Sequence, residues 1–464
     1  MSIHKRYKLG GKAVIHAKQA LLADGWAVNV RLAVDAGIIT NLQADVGPQA
    51  GDTCVDTLLP SLSNLHSHAF QRAMAGMTEF RQQGRDSFWT WRDLMYRFMD
   101  RMTPDQLEAI AAQVYVEMLE AGFAGVGEFH YVHHQPGGTP YDNIAELSDR
   151  IFAAAAQTGI GLTHLPVLYT YGGAGQAALT AGQRRFGNDV DRFAQLTERA
   201  ASSLRELPPD ARIGIAPHSL RATCPDDLAR VVAAHGQGPI HIHIAEQPQE
   251  VRDIEAWLGA RPVAWLLDHQ SVDERWCLIH ATHMTQAETG AMARTGAVAG
   301  LCPITEANLG DGPFNGPDYA AAGGRFGIGS DSNVNISLTE ELRTLEYSQR
   351  LRDTSRNVMI PGAGSVGAYL YTTAARGGAQ ALARDAGVIE TGRLADLVAI
   401  DSQCPALCAL PADRILDGLG FAAKDNVVTD VWSAGRHRVS GGRHVDRDAV
   451  FSRYRVAVWQ LMNE

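Results

Sequence analysis

The stretch that decides the fold runs from Trp276 to Cys302 and reads WCLIHATHMTQAETGAMARTGAVAGLC. Its first six residues form a short apolar run typical of a buried strand, and so do its last six. Between these runs, Thr285 to Thr295 has a helical pattern that begins with a residue type found at helix N-caps. Strand, helix and strand in this order predict two parallel strands joined by a helix.

The same alternation continues in both directions along the chain. Helical patterns separate the apolar runs, for example at Thr103 to Ala121, Val190 to Leu207 and Cys224 to His235. The eight predicted strands are Thr57 to Leu62, Gly122 to His130, Gly161 to Tyr169, Arg212 to Pro217, Pro239 to Ala245, Trp276 to Ala281, Ala297 to Cys302 and Arg325 to Gly329. Eight strands alternating with helices predict an α/β fold with a (β/α)8 TIM-type barrel.

The two ends of the chain have a different pattern. Lys12 to Val46 and Ala395 to Val450 contain short alternating runs with turn signals between them. We expect both ends to form one small β-sandwich, with residues 1–56 and 386–464 flanking a barrel at 57–385 and a helix ending the chain. Phe70 to Arg101 is the longest insertion between predicted strands that lacks a clear helical period at its start. It follows the first strand, and long loops after barrel strands usually serve the active site.

Composition restricts the class of protein. The chain has 464 residues, of which 45% are hydrophobic and 20% charged, as in ordinary globular proteins. No apolar run suits a membrane span or a signal-peptide core, so we expect a cytoplasmic protein. The six scattered cysteines do not suggest a disulfide scaffold, and the net charge of -10 argues against a nucleic-acid partner.

Polar residues cluster at the ends of four predicted strands, where barrel enzymes place their chemistry. The sequence His66-Ser67-His68 ends the first strand, and its spacing puts both imidazoles on one side. The fifth strand carries His241-Ile242-His243 with Glu246 following, the sixth ends at His280, and the eighth ends at Asp331. Histidine and carboxylate are the preferred ligands of a catalytic zinc, so these strand ends predict a metal site.

Other histidines leave alternatives open. His241 is either a further ligand or a residue that fills the barrel, and His283 competes with His280 for the functional position. His130, His133 and His134 follow the second strand and either line the pocket or belong to a solvated polar loop.

The series His66, His68, His243 with Glu246, His280 and Asp331 resembles the amidohydrolase superfamily over nearly the whole chain. Residues 392–398, GRLADLV, look like that superfamily's return to its small β-domain. Some members bridge two metals through a carbamylated barrel lysine, but no lysine lies between Lys18 and Lys424. The resemblance therefore implies the one-metal deaminase branch, with one divalent metal, expected to be Zn²⁺. Its ligands would be His66, His68, His243 and Asp331.

The resemblance also implies roles in proton transfer. A water at the metal would be acidified. Asp331 together with His280 would take a proton from the attacking water, and Glu246 would deliver one to the leaving nitrogen. Glu246, His280 and Asp331 are thus the expected catalytic residues.

Four motifs resemble the formimidoylglutamate deiminases, which convert N-formimidoyl-L-glutamate and water to N-formyl-L-glutamate and ammonia in histidine degradation. They are NLHSHAFQR (64–72), GEFHY (127–131), APHSLR (216–221) and CPITEANLGDG (302–312), the last with Ile304 where a polar residue is expected. This resemblance implies substrate contacts from Gln71, Tyr131 and His218.

A dicarboxylate substrate independently requires guanidinium groups, and Arg92 and Arg221 are the candidates. We expect Arg81 and Arg85 to be solvated instead.

Two other functions remain open. A purine or pterin deaminase on the same fold would need aromatic stacking and amide groups in its pocket rather than two arginines. A non-catalytic scaffold would be expected to have lost metal ligands, which this chain retains. We further expect a homodimer that acts on a small dicarboxylate, with neither nucleic acid nor a membrane as partner.

Overall fold

The computed structural model describes residues 11–80 and 88–463. Its strands are β1 (Ala13–Leu22), β2 (Gly25–Asp35), β3 (Ile38–Gln43), β4 (Thr53–Pro60), β5 (Leu62–Ser67), β6 (Phe123–His130), β7 (Gly161–Leu168), β8 (Arg212–Ile213), β9 (Ala216–Pro217), β10 (Ile240–Ile244), β11 (Trp276–His280), β12 (Val298–Leu301), β13 (Arg325–Ile328), β14 (Leu397–Ile400), β15 (Val428–Ser433), β16 (Arg436–Ser440) and β17 (Arg443–His444).

Helices follow most strands of the central part of the chain. They are α1 (Phe88–Met99), α2 (Pro104–Glu120), α3 (Glu146–Thr158), α4 (Val190–Leu204), α5 (Pro225–Ala234), α6 (Pro248–Leu258), α7 (Pro262–His269), α8 (Gln286–Thr295), α9 (Pro303–Leu309), α10 (Gly316–Ala321), α11 (Leu338–Asp353), α12 (Val366–Ala381), α13 (Ile415–Phe421) and α14 (Arg447–Asn463). Among the described residues, no helix is both long and apolar enough to cross a lipid bilayer.

The strand–helix–strand unit from Trp276 to Cys302 forms as predicted. Strands β11 and β12 pair in parallel and are joined by α8. The hydroxyl of Thr285 accepts the N–H of Glu288, whose side chain in turn accepts the N–H of Thr285. This capping box satisfies two free backbone donors at the start of the helix. Gly296, with φ 79°, ends the helix in a left-handed conformation that favours glycine.

Two parallel sheets form the centre of the molecule. One has the order β5-β6-β7-β8, with β9 also on β7, and the other has the order β10-β11-β12-β13. Parallel bridges between Ile215 and Ile240 and between Ser67 and Asp331 connect the two sheets at both sides. The carboxyl ends of these strands therefore lie on one face, and the α/β class is confirmed.

The prediction that Thr57 to Leu62 forms the first barrel strand is wrong. Thr53–Pro60 is β4, which pairs with β1 and β14, and the first parallel strand is Leu62–Ser67. Leu58 packs in the core of the sheet that β4 shares with β1 and β14, whereas Leu62 packs in the central core. A single apolar run thus contributes side chains to two separate cores. Its hydrophobic periodicity does not reveal where the chain leaves one sheet and enters the other.

Strands from both chain ends form one eight-stranded sheet, in the order β17-β16-β15-β14-β4-β1-β2-β3. This sheet has a core of its own, which includes Ile15, Leu32, Leu397 and Trp432. The sequence predicted that the two ends would associate. The division at residues 56 and 385 stays a prediction.

A buried ion cluster joins this sheet to the central part of the molecule. The fully buried guanidinium of Arg384 donates to Asp396 at 2.8–3.0 Å and to Asp210 at 3.3 Å. Arg436 of β16 donates to the same Asp210 at 2.7 Å. Buried charges need such pairing, because an unpaired one is costly to desolvate.

Candidate active site

Three imidazoles meet at the carboxyl ends of β5 and β10. The Nε2 atoms of His66 and His243 are 3.1 Å apart. His68 belongs to the same group, in which the ligand atoms of all three rings lie within 4.8 Å of one another. The alternation of side chains along β5 places His66 and His68 on the same side, as predicted.

Asp331, which follows β13, completes this group. Its Oδ1 lies 3.4 Å from Nε2 of His66 and 3.3 Å from Nε2 of His68. Its backbone bonds to β5 on both sides, donating to His66 and accepting from His68. A left-handed φ of 47° turns the chain here, a costly conformation for a non-glycine residue that often marks a functional site.

The protonation states of the three histidines and Asp331 suit the binding of a cation. Burial is the largest cause that lowers the pKa of His66 to about 3, and it also lowers those of His68 and His243. Burial alone would raise the pKa of Asp331, but the hydrogen bond with His66 and the charges of neighbouring imidazoles lower it. Three neutral imidazoles and one carboxylate are the donor set that a divalent metal requires.

Outer contacts fix two of the three rings. Nδ1 of His68 lies 2.9 Å from the carbonyl oxygen of Phe129, and Nδ1 of His243 lies 3.1 Å from that of His218. A ring that donates Nδ1–H to a carbonyl presents its Nε2 lone pair, which is the usual arrangement of metal-binding histidines. The residues present therefore fit a divalent metal.

Glu246 and His280 adjoin this group. Nε2 of His280 lies 3.8 Å from Oε1 of Glu246 and 3.9 Å from Oδ2 of Asp331. Burial alone would lower the pKa of His280, but the charge of Glu246 and the hydrogen bond with Glu306 raise it to about 10. The group can therefore hold and pass protons between His280 and two carboxylates.

Sequence analysis missed Glu306, although it lies within the quoted motif at 302–312. Its Oε1 is 3.2 Å from Nδ1 of His280 and accepts the N–H of Cys302 at 2.9 Å. It thereby orients the ring so that Nε2 faces Glu246 and Asp331. The motif contains several polar side chains, and a sequence does not indicate which of them turns inward.

Glu250 was missed as well. Its fully buried carboxylate accepts the N–H groups of Ala245 and Glu246 at 3.2 and 3.1 Å. Ala245 has φ 51°, so the carboxylate stabilises a strained turn directly before Glu246. The spacing of four residues from Glu246 was the signal available in the sequence.

Arg221 lies against both glutamates. Its Nη2 is 3.4 Å from Oε2 of Glu246, and its Nε is 3.7 Å from Oε2 of Glu250. Burial raises the pKa of Glu246, and the charges of His280 and Arg221 lower it. The side chain predicted to hold substrate thus also contacts the predicted proton carrier.

One cavity contains nearly all the predicted residues. Ten of the eleven line it, and only the fully buried His66 lies outside its wall. The ten are His68, Gln71, Arg92, Tyr131, His218, Arg221, His243, Glu246, His280 and Asp331. Aromatic side chains complete the wall: Phe88, Trp91, Tyr96, Tyr169 and Phe186.

Among the polar wall residues, Gln71 donates to the hydroxyl of Tyr131 at 2.7 Å. Nδ1 of His218 lies 2.9 Å from the hydroxyl of Ser219. The guanidinium carbon of Arg92 lies 5.6 Å from the ring centroid of Tyr96. Burial, Arg221 and Arg92 all lower the pKa of His218, so both arginines lie near this imidazole.

The remaining histidines are outside this wall, among the residues described. His241 directs Nε2 to the carbonyl of Ala381 at 2.8 Å, and His283 directs its Nε2 to the carbonyl of Asp311 at 2.8 Å. Both alternatives for His130, His133 and His134 are wrong, because these side chains are buried and do not line the cavity. Arg81 and Arg85 lie outside the described residues.

Comparison with known families gives two matches. Residues 57–438 match the model of the amidohydrolase family. Residues 12–55 match the N-terminal domain of formimidoylglutamate deiminase HutF.

Individual relatives extend over almost the whole chain. A formimidoylglutamate deiminase from Pseudomonas aeruginosa is 49% identical over 439 residues, covering 94% of this chain and 96% of its own. A crystal structure of an amidohydrolase from Brucella melitensis has a TM-score of 0.92 at 51% identity, covering 97% of this chain and 100% of its own.

A more distant structure, an adenosine deaminase from Xanthomonas campestris with bound zinc, has a TM-score of 0.81 at 22% identity and covers 98% of this chain and 99% of its own. At that identity the similarity concerns the fold alone. The match over residues 57–438 and the 49% identity over nearly the full length lead to one conclusion: the chain belongs to the amidohydrolase family.

Proposed function

We propose that this chain is a metal-dependent deiminase that hydrolyses N-formimidoyl-L-glutamate to N-formyl-L-glutamate and ammonia, a step of histidine degradation. The observation that carries the proposal is that Arg92 and Arg221 line the same cavity as the histidines and carboxylates at the strand ends. Two guanidinium groups suit a substrate with two carboxylates. The similarity to the Pseudomonas aeruginosa enzyme supports the same substrate.

The proposal includes a finer description of the fold. The two parallel sheets, bridged at both sides, would close into a (β/α)8 barrel. The separate core of the eight-stranded sheet supports its folding into a small β-sandwich.

The metal would be a single Zn²⁺, held by His66, His68, His243 and Asp331. When bound there, the metal would supply Lewis acidity that lowers the pKa of water near neutrality. The convergence of these side chains and their outer hydrogen bonds support this assignment. The zinc bound in the Xanthomonas campestris structure is consistent with it.

The proton transfers are assigned to three side chains. Asp331, with His280, would accept a proton from the water that attacks the formimidoyl carbon. Glu246 would deliver a proton to the nitrogen as the C–N bond breaks, so that ammonia leaves. The distances of 3.8 and 3.9 Å from His280 to the two carboxylates support a shared proton path.

Substrate binding is assigned to five further residues of the cavity wall. Arg92 and Arg221 would bind the carboxylates, and Gln71, Tyr131 and His218 would hold the formimidoyl-amino-acid end. The hydrogen bond from Gln71 to Tyr131 supports a fixed polar surface there.

A second candidate is a purine or pterin deaminase. The aromatic wall of the cavity, with Trp91, Tyr169 and Phe186 among its residues, favours a flat ring that stacks. The two arginines favour the acid substrate, and we therefore rank the dicarboxylate first.

Ammonia release distinguishes the candidates. The purified enzyme should be assayed with formimidoylglutamate, guanine and adenosine at equal concentrations. We expect release from formimidoylglutamate only. Release from a purine and none from formimidoylglutamate would overturn the proposal, and no release from any of them after zinc loading would favour a non-catalytic role.

We also propose a homodimer and a cytoplasmic location. The homodimer is supported by the apolar side chains that α14 leaves exposed, which include Val456, Trp459 and Met462. Large exposed apolar side chains on one helix are typical of protein interfaces.

A further inference from the structure

Asp331 faces two groups of potential metal ligands. Its Oδ1 lies near the Nε2 atoms of His66 and His68, at 3.3–3.4 Å. Its Oδ2 instead lies 3.9 Å from Nε2 of His280. A carboxylate in this position can bind one cation through each oxygen, as bridging carboxylates do in two-metal sites.

The second group contains a thiol. The ligand atoms of His280, Cys302 and Asp331 all lie within 4.8 Å of one another. Cys302 follows β12 and is fully buried, and His280 is 1% exposed. Imidazole, thiolate and carboxylate are together the donor types that Zn²⁺ and softer divalent cations prefer.

His280 has the outer contact expected of a metal ligand. Its Nδ1 lies 3.2 Å from the Glu306 carboxylate, and its Nε2 lies 3.9 Å from Oδ2 of Asp331. This is the carboxylate–histidine arrangement that orients metal-binding imidazoles and makes them better donors. Thus Glu306 would serve as a positioning residue for a cation at His280.

The local charge also favours a further cation. Around His280 lie the carboxyl groups of Glu246, Glu306 and Asp331, at 3.2–3.9 Å. Glu250 lies next to Glu246, and the positive charges nearby are Arg221 and the protonated His280, which would give up its proton to the incoming cation. One divalent metal bound by the three histidines leaves this side of Asp331 rich in negative charge.

We propose that His280, Cys302 and Asp331 form a second, weaker metal site that takes a thiophilic divalent cation, with Cd²⁺ as the probe, and that its occupation inhibits the enzyme. Binding would break the S–H bond of Cys302 and the Nε2–H bond of the protonated His280. It would form a sulfur–metal and a nitrogen–metal bond, while both protons pass to solvent without any redox change. Displacing these protons, one of them from a fully buried thiol, makes the site weaker than the first. The inhibition rests on the proposed function, because it removes His280 from proton transfer.

Absorption spectroscopy tests the binding independently of activity. Enzyme loaded with one equivalent of Zn²⁺ is titrated with Cd²⁺ while the thiolate-to-cadmium charge-transfer absorption and the bound metal are measured. Cys302→Ser is compared with Cys277→Ser, since Cys277 is equally buried in the same cluster. Exposed thiols such as Cys54 and Cys408 contribute the same background to both variants.

We expect the wild type and Cys277→Ser to bind a second equivalent with the absorption band, and Cys302→Ser to lose the band and at least about tenfold in affinity for Cd²⁺. Glu306→Gln should weaken the second equivalent by about 10–100-fold while the first remains. If Cys302→Ser does not fold, Cys302→Ala replaces it. An unchanged band and affinity in the folded Cys302 variant would overturn the site.

Ammonia release is followed in the same titration. Activity of the wild type should fall as the band grows, and the activity that Cys302→Ser retains should resist Cd²⁺. A band that grows without inhibition would overturn the inhibitory role and contradict the assignment of His280. An active enzyme with no band would instead overturn the second site and leave the proposed function intact.

Discussion

Replacing Arg221 by Met should impair both substrate binding and turnover. The change keeps most of the apolar stem of the side chain and removes the guanidinium. A charge-assisted bond to a carboxylate contributes about 1.5–3 kcal/mol, which corresponds to a rise in KM of roughly tenfold to somewhat over a hundredfold. The structure adds an effect on kcat, because Nη2 of Arg221 lies 3.4 Å from Glu246.

The direction of the kcat effect follows from charge. Burial raises the pKa of Glu246, and Arg221 is among the groups that lower it. Without Arg221, the pKa of Glu246 rises further, so Glu246 becomes a weaker acid and delivers its proton less readily to the leaving nitrogen. We expect kcat to fall, but by less than the roughly 10²–10⁴-fold that complete loss of a proton-transfer group costs.

Steady-state kinetics with formimidoylglutamate and with a neutral formamidine separate the two effects. The KM effect should be confined to the acid substrate, whereas the kcat effect should appear with both. Arg92→Met is the matched control, since its guanidinium lies over the Tyr96 ring, and we expect it to raise KM alone. If Arg221→Met left both kcat and KM unchanged, the proposed clamp and its coupling to Glu246 would be refuted.

Three further predictions concern the metal, the proton carrier and the fold. Metal analysis should find one tightly bound divalent ion per chain, and two tightly bound ions would contradict the assignment. Removal of the metal by a chelator should abolish ammonia release, and added Zn²⁺ should restore it. Glu246→Gln should keep the metal and lower kcat by about 10²–10⁴-fold, and near-normal kcat would remove Glu246 from the mechanism. Arg384→Met should lower the free energy of unfolding by about 3–5 kcal/mol in denaturant titration, because Asp396 and Asp210 lose a buried partner. Arg393→Met, at a half-exposed ion pair, is the control and should cost about 0–1 kcal/mol; equal losses in both variants would refute the role of burial.

Much of the fold could be predicted from the sequence because its signals are local. The apolar runs and capping residues around α8 depend on neighbours within a few positions, and the helix forms one residue after Thr285. The exception is Thr57 to Leu62, where a single apolar run passes from one core to another. A change of pairing partner is a long-range event that leaves no mark on hydrophobic periodicity.

The predicted site residues could be found because parallel strands end on one face. His66, His243, His280 and Asp331 are far apart in sequence, yet each ends or closely follows a strand, and the structure brings them together. Their chemical roles stay predictions. The sequence did not distinguish His241 from His243 as metal neighbours, because residues two apart on a strand face the same side. The structure places His243, nearer the carboxyl end of β10, beside His66, whereas His241 bonds to the carbonyl of Ala381.

By itself, the sequence determined which residue types stand at the ends of the strands. Strand periodicity depends only on neighbouring residues, and the ligand chemistry of a side chain follows from its residue type. Only the tertiary structure decided which further carboxylates hydrogen-bond to these residues and orient them. Glu250, in the first turn of α6, meets the backbone of Glu246, and Glu306, in α9, meets His280 at the end of another strand. Such contacts depend on how each helix packs against the strand ends, which local sequence patterns do not specify. The contact of Arg221 with Glu246, 25 residues further along the chain, likewise could not be predicted, because it depends on tertiary packing.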